Sequence, residues 1–191
     1  MLALLAAGQS SRFGEADKIA AVLGDRMLGL HAAETAAAMP FTGKLVIGSP
    51  EHDCTAQWRH LGYRIIANAD AGRGQASSVR LAAAHAIEKG ASALCILLAD
   101  MPFVTREHLD RLLAAFEQSD DTVASARNGQ AMPPAIFPAS RLNSLLALDG
   151  DSGARTLLAG ARLVAGEGQI LMDVDTVEDL TRANRIYCNI K

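Results

Sequence analysis

Aromatic side chains are scarce: one Trp, two Tyr and five Phe, 4% of the 191 residues. The core cannot be organised around large rings and falls to Ala, Leu, Ile and Val, with abundant Ala favouring tightly packed helices. Cysteine is scarce too. Cys54, Cys95 and Cys188 are widely separated and form no C-x-x-C, which argues against a disulfide framework or a structural zinc site. A reducing cytoplasm is the expected location. The apolar start, Met1-Leu2-Ala3-Leu4-Leu5, is broken by Gly8 and is too short for a signal peptide or a membrane span. There is no excess of basic charge either. The formal net charge is -3, so neither a nucleic-acid duplex nor a membrane is expected as a partner, and any grip on phosphate must be local.

What is present is a regular alternation. Half the residues are hydrophobic and a fifth are charged, a balance that suits one domain over residues 1–191, a core carrying a small inserted lobe. Residues 2–5 read as a buried strand. Apolar positions 28, 32, 36 and 39 mark a helix face, stopped by Pro40 and Gly43. Residues 44–48 (KLVIG) read as a strand, 51–60 as a helix and 63–67 as a strand. A loop over 68–74 leads into a helix over 75–89. Residues 93–98 (ALCILL) form the most apolar strand, and Asp100-Met101-Pro102 ends it. Thr105 can cap a helix carrying Leu109, Leu112, Leu113 and Phe116, and 122–126 is a further strand. Such a succession predicts an α/β fold, a mainly parallel sheet with helices on both faces, whose ligands bind beyond the carboxyl ends of the strands. The last third is less regular: Met132-Pro133-Pro134 interrupts it, Ile136-Phe137 suggests a short strand, and 139–148 and 152–158 suggest short helices.

Four constellations carry chemistry. In the first, a strand runs into Leu5-Ala6-Ala7-Gly8-Gln9-Ser10-Ser11, whose small residues let backbone N–H groups approach an anion. Arg12 and Lys18 add two cations, as a nucleoside triphosphate requires. It is neither a Walker loop nor G-x-G-x-x-G. The second is Asp100 at the end of the most apolar strand, a suitable magnesium ligand. The third is Leu171-Met172-Asp173-Val174-Asp175-Thr176-Val177-Glu178-Asp179-Leu180. Here Thr176 and Asp179 have capping-box-like spacing, and the alternating Asp173 and Asp175 fall on one side of an extended chain, so that either can complete a metal site. The fourth is Gly72-Arg73-Gly74-Gln75-Ala76-Ser77-Ser78-Val79-Arg80, after the loop that starts at Asn68: a helix start with groups able to bond a base or ribose. The five histidines do not cluster at ligand spacing, and His108 is expected at the surface.

Together the segments Leu4-Leu5-Ala6-Ala7-Gly8-x-Ser10-x-Arg12-Phe13-Gly14 with Lys18, the Gly–Ser helix start, Ala99-Asp100-Met101-Pro102-Phe103, and Asp173-Val174-Asp175-Thr176-x-Glu178-Asp179-Leu180 resemble the MobA-like nucleotidyltransferases, especially the molybdenum cofactor cytidylyltransferases. The resemblance runs from Leu2 to Leu180. It implies a Rossmann-like three-layer fold and a magnesium-dependent transfer of a nucleoside monophosphate to a phosphate-bearing acceptor such as molybdopterin, with release of pyrophosphate. It further implies catalytic roles for Arg12, Lys18 and Asp100 and metal ligation by Asp100 and Asp175. The nucleotide would lie against Leu5, Ala6, Ala7, Gly8, Gln9, Ser10, Ser11, Arg12, Lys18, Asn68, Gly72, Gln75, Ser78 and Asp100. The Leu-Ala-Ala-Gly form accompanies CTP, whereas Leu-Ala-Gly-Gly accompanies GTP. Two departures, Gly74-Gln75-Ala76-Ser77-Ser78-Val79 for Gly-Met-x-x-Ser-Leu and Met132-Pro133-Pro134 for Gly-His-Pro, bear on the acceptor more than on the nucleotide. The alternatives are GTP as donor, a sugar or polyol phosphate as acceptor, or a non-catalytic nucleotide-binding protein that serves a recipient molybdoenzyme.

Overall fold

Four successive apolar residues, Leu2–Leu5, form β1 near the centre of a seven-stranded sheet in a computed structural model that describes residues 1–7, 13, 17–119, 121–148 and 157–190. In chain order the elements are β2 (Val22–Leu23), β3 (Arg26–Met27), α1 (Leu28–Ala37), β4 (Lys44–Gly48), α2 (Thr55–His60), β5 (Arg64–Ala67), α3 (Gln75–Glu88), β6 (Ala93–Leu98), α4 (Arg106–Glu117), β7 (Val123–Arg127), β8 (Gln130–Pro138), α5 (Ala139–Leu146), β9 (Arg162–Ala165) and α6 (Val177–Ile190). The sheet order is β5-β4-β1-β6-β8-β7-β9. Only β8 runs against the others, pairing antiparallel with β6 and β7; the remaining pairs are parallel. This is the mainly parallel Rossmann-like sheet expected from the sequence.

Side chains of a strand alternate between faces, so a strand that is apolar throughout must be covered twice. Leu2 and Leu4 of β1, Val46 of β4 and Leu97 of β6 pack with Ala32, Ala33 and Ala36 of α1, Trp58 of α2, and Leu109 and Leu112 of α4. Ala3 and Leu5, Leu45 and Ile47, and Leu94 and Ile96 pack on the other face with Val79, Ala82, Ala83 and Ala86 of α3 and Leu142 and Leu145 of α5. The alanines face the sheet in both layers, which lets the helices lie close to it. Trp58 and Tyr63 are the large buried rings of the first layer, and each spends its polar atom on a carbonyl of α1: Trp58 Nε1 on Gly29 O (3.0 Å) and Tyr63 Oη on Ala33 O (2.8 Å). A third cluster lies beside the sheet, with Leu23, Leu28, Met172, Val174 and Ala183 under the β2–β3 hairpin and α6.

The structure differs from the sequence reading in the last third. Segment 129–168 supplies β8, β9 and α5 to the main sheet and its covering layer, while most of the helix expected over 152–158 lies outside the described residues. The two prolines do not interrupt β8. Ala124 pairs with Ala135 and Ser125 with Met132, so Pro133 and Pro134 sit in a bulge where no ladder N–H is required. Residues 172–175 belong to no helix and join no ladder.

His108 corrects an expectation. It is buried, not on the surface, because it lies one turn from Leu112 on the inward face of α4. Its Nε2 is 2.8 Å from Ser125 Oγ, whose hydroxyl donates to Pro134 O, so Nε2 is the donor in that contact. Among the described residues no helix is long and apolar enough to cross a membrane.

Burial, and secondarily the Arg111 charge, lowers the pKa of His108. The unfolded chain takes up the proton near pH 6.5 and the folded chain only below that, so stability falls as pH drops through about 6.5. Burial lowers His31 in the same direction. Thermal unfolding from about pH 7.5 to about pH 5.5 should show a falling Tm, and the fall should be shallower in His108→Gln. An equal slope in both proteins would remove His108 as a source.

Candidate active site

Leu5 is in register with both Ile47 and Leu98, and Gly48 with Ala67. The strands therefore end at one level, and the residues that follow emerge along one edge: Ala6 and Ala7 after β1, Asn68 after β5, Ala99 and Asp100 after β6. The ladder runs one step further, with Ala6 N bonded to Ile47 O (2.9 Å) and Ala99 N to Leu5 O (3.0 Å). This is the crevice edge at which open parallel sheets bind ligands.

Lys18 reaches this edge from a single 3-10 turn, Lys18–Ala20. Asp17 starts the turn by accepting from Ile19 N at 2.9 Å. His52 Nε2 lies 2.6 Å from Asp17 Oδ2, and that contact holds the Asp17 carboxyl below the usual range against burial, helped by the N–H groups of Ile19 and Ala20. Ile19 anchors the turn in the core, and Gly29 of α1 makes room for it. A Cβ at Gly29 would stand 2.2 Å from Ile19 Cγ2 and 3.2 Å from the Trp58 ring.

The Lys18 ammonium donates to Asp100 Oδ2 and to Asp175 Oδ1, each at 2.7 Å. The Lys18 side chain is 10% exposed, that of Asp100 18% and that of Asp175 41%. Burial works against both partners of the inner pair. For Lys18 the two carboxylates outweigh it and raise the pKa, keeping the ammonium charged. For Asp100, burial, with further repulsion from Asp175 and Asp173, outweighs Lys18 and raises the carboxyl above its usual range. Asp100 Oδ1 is buried with no hydrogen-bond partner. An orphaned carboxylate oxygen beside a second carboxylate is a donor set that fits a hard divalent cation. Among the described residues no group of three or more His, Cys, Asp or Glu is placed to hold a metal, so the protein would supply two carboxylates and leave other positions to phosphate and water.

Asp175 is brought in by residues 172–175. Met172 and Val174 are buried in the third cluster and Val174 N bonds to Asp100 O (3.0 Å), which turns Asp173 and Asp175 outward. The chain then enters α6 through the expected capping box: Thr176 N donates to Asp179 Oδ2 (3.0 Å) and Asp179 N to Thr176 Oγ1 (3.1 Å). The two acids find different partners. Asp173 lies 3.7 Å from the Arg127 guanidinium, which also donates to Leu171 O at 3.1 Å. Arg127, Asp173, Gln169 and Arg182 line a polar pocket of about 470 Å³ on that side.

The fourth constellation assembles at the same edge. Asn68 Nδ2 donates to Ser77 Oγ and to Ser78 Oγ, both at 2.9 Å, tying the end of β5 to the first turn of α3. Gly74, with φ +87°, forms the N-cap of α3. Gln75 and Gly72 are exposed; Leu5 is buried and Ala7 half-buried. Gly8, Gln9, Ser10, Ser11 and Arg12 lie outside the described residues. Sequence reasoning missed Asp17, His52 and Arg127. Asp17 is adjacent to Lys18 and has a capping side chain, a usable signal; His52 and Arg127 act across the fold and have none. Cys54 and Cys95 are not nucleophile candidates, since burial pushes both thiols up to about 12.

The model of the MobA-like NTP transferase domain matches residues 2–166. The chain is 32% identical to the purine catabolism protein PucB of Bacillus subtilis, over 95% of this chain and 94% of that one. In fold it is similar to a nucleotidyl transferase from Methanothermobacter thermautotroptrophicus, with TM-score 0.83 and 17% identity over 100% of this chain and 98% of that one. It is also similar to the molybdopterin-guanine dinucleotide biosynthesis protein A of Archaeoglobus fulgidus, with TM-score 0.70 and 19% identity over 98% of both chains.

Gly→Ala inside a helix ordinarily stabilises by up to about 1 kcal/mol. Gly29→Ala should do the reverse, because displacing Ile19 is an overpacking cost of about 1–3 kcal/mol. Chemical denaturation checks the sign, and a midpoint raised above wild type would show that the Lys18 turn does not depend on this close approach.

Proposed function

We infer the reaction from one premise: the chain belongs to the MobA-like NTP transferase domain family. It is a nucleotidyltransferase, and the reading we favour is transfer of CMP from CTP to a phosphate-bearing acceptor, molybdopterin or the molybdenum cofactor, with release of pyrophosphate. The observation that carries the reading is the convergence of Lys18, Asp100 and Asp175 at the carboxyl edge of the sheet. A lysine and two carboxylates serve charge stabilisation, whereas mere retention of a nucleotide needs no such acids.

An acceptor phosphate oxygen attacks the α-phosphorus of CTP, a new P–O bond forms, and the bond to pyrophosphate breaks. The chain contributes position and charge rather than covalent chemistry. Leu5, Ala6 and Ala7 lead the backbone to the triphosphate, with Gly8, Gln9, Ser10, Ser11 and Arg12 completing the loop. Lys18 neutralises charge at the α-phosphate and Arg12 charge developing on the leaving pyrophosphate. Asn68, Gly72, Gln75 and Ser78 face the nucleoside. Asp100 and Asp175 would hold Mg2+, which when bound supplies Lewis-acid stabilisation of phosphate oxygens. The Cβ of Ala7 narrows the base pocket toward cytosine. Residues 1–191 act as one domain in the cytoplasm, on small molecules, with a molybdoenzyme as the recipient of the product. A second reading, GMP transfer from GTP, is favoured by the fold likeness to the Archaeoglobus protein whose name specifies molybdopterin-guanine dinucleotide.

Pyrophosphate release measured with CTP, GTP and ATP, with and without molybdopterin, separates these readings. CTP together with molybdopterin should give the largest signal. Asp100→Ala should reduce turnover by at least about 100-fold while leaving the circular dichroism spectrum unchanged. Full activity in that variant would sink the assignment.

A further inference from the structure

The same two oxygens that fit a divalent cation are spanned by a cation that the chain itself provides. Lys18 Nζ stands 2.7 Å from Asp100 Oδ2 and 2.7 Å from Asp175 Oδ1, in a setting where its side chain is 10% exposed. We propose that Lys18 is an internal stand-in for the metal: it occupies the carboxylate pair until nucleotide arrives, and metal and triphosphate then enter as a linked pair while Lys18 transfers to phosphate. The proposal rests on the assignment of Asp100 and Asp175 as the metal-binding pair.

Three observations support it. First, charge: adding a divalent ion beside the ammonium would place two cations within a few ångströms of each other in a poorly solvated pocket. Second, the lone pairs: Mg2+ needs oxygen contacts near 2.0–2.1 Å, and the ammonium already takes one oxygen of each acid. Third, Asp100 keeps its other oxygen, Oδ1, buried and without a hydrogen-bond partner. Asp100 is therefore tethered by Lys18 on one oxygen while the other remains unused. Lys18 is able to leave because its turn is anchored separately. Asp17 caps it, His52 holds Asp17, and Ile19 is buried against α1 and α2. The ammonium can exchange carboxylate for phosphate without loss of the backbone that presents it. A triphosphate offers the lysine an anion of higher charge, so nucleotide binding frees the carboxylates and makes metal binding tighter, and by linkage the metal does the same for nucleotide.

The test is Mn2+ binding by the full chain without nucleotide, followed by electron paramagnetic resonance and by calorimetry. Wild type is compared with Lys18→Met, with Lys18→Gln in case unopposed carboxylates keep the first variant from folding, and with Asp100→Asn. The lysine variants should bind Mn2+ about tenfold or more tightly than wild type, and Mn2+ should raise their Tm by more than it raises the wild-type Tm. A non-hydrolysable CTP analogue should tighten Mn2+ binding in wild type by a larger factor than in either lysine variant. Equal Mn2+ affinity in wild type and lysine variants, lost in Asp100→Asn, overturns the stand-in role and leaves the metal pair intact. Binding unaffected by Asp100→Asn overturns the metal pair itself, and the proposal with it.

Discussion

The Lys18 ammonium between Asp100 and Asp175 is the contact on which the site depends. It joins positions 82 and 157 residues apart in the chain at 2.7 Å each. Burying the Lys18–Asp100 pair is costly in itself, and removing one partner of such a pair typically costs about 3–5 kcal/mol, whereas the contact to Asp175, which is 41% exposed, is screened by solvent and contributes at most about 1 kcal/mol. Well-packed apolar side chains of similar volume would be at least as stable, so stability alone does not account for this arrangement. The raised Asp100 carboxyl and the unsatisfied Oδ1 belong to the same picture.

Much of the architecture serves to bring these three side chains to one level. Both faces of β1 and β6 are apolar, so both must be covered, and coverage by α1, α2 and α4 on one side and α3 and α5 on the other fixes the sheet as the middle layer. Register then sets the height of the strand ends, with Leu5 level with Ile47 and Leu98. Asp100 follows from that. Lys18 depends on a smaller packing event, the fit of Ile19 against Gly29 and Trp58. Asp175 depends on a third, the burial of Met172 and Val174 beside α6, with Asp179 capping the helix that follows.

Alternation explains why the two acids of the C-terminal segment have different fates. With Met172 and Val174 inward, Asp173 and Asp175 both face out, but successive outward positions on an extended chain are separated by roughly 6–7 Å. That separation puts Asp175 on Lys18 and Asp173 beside Arg127. Which of the two acids meets Lys18, and which meets Arg127, is thus set by spacing and by what each position faces.

The strands at Leu2–Leu5, Lys44–Gly48 and Ala93–Leu98 were legible to the residue, because short apolar runs bounded by Gly, Pro or Asp leave few alternatives. The Thr105 cap and the Thr176–Asp179 capping box were legible for a similar reason: both are local chemistry within four residues. Asp100, at the end of the most apolar strand, could be placed at the ligand edge. What the sequence could not convey was anything set by distant partners. His108 is inside because the inward face of α4 includes it and Ser125 satisfies it. Pro133 and Pro134 sit within a strand because a bulge opposite Ala124 and Ser125 spares them a ladder bond. Local pattern therefore determined most elements of the first 126 residues, two helix caps and the candidate groups, but not the β2–β3 hairpin, β9 or the length of β8. Tertiary structure alone decided that Lys18 lies between Asp100 and Asp175, since that meeting is produced by sheet register and helix packing over separations that no local window spans.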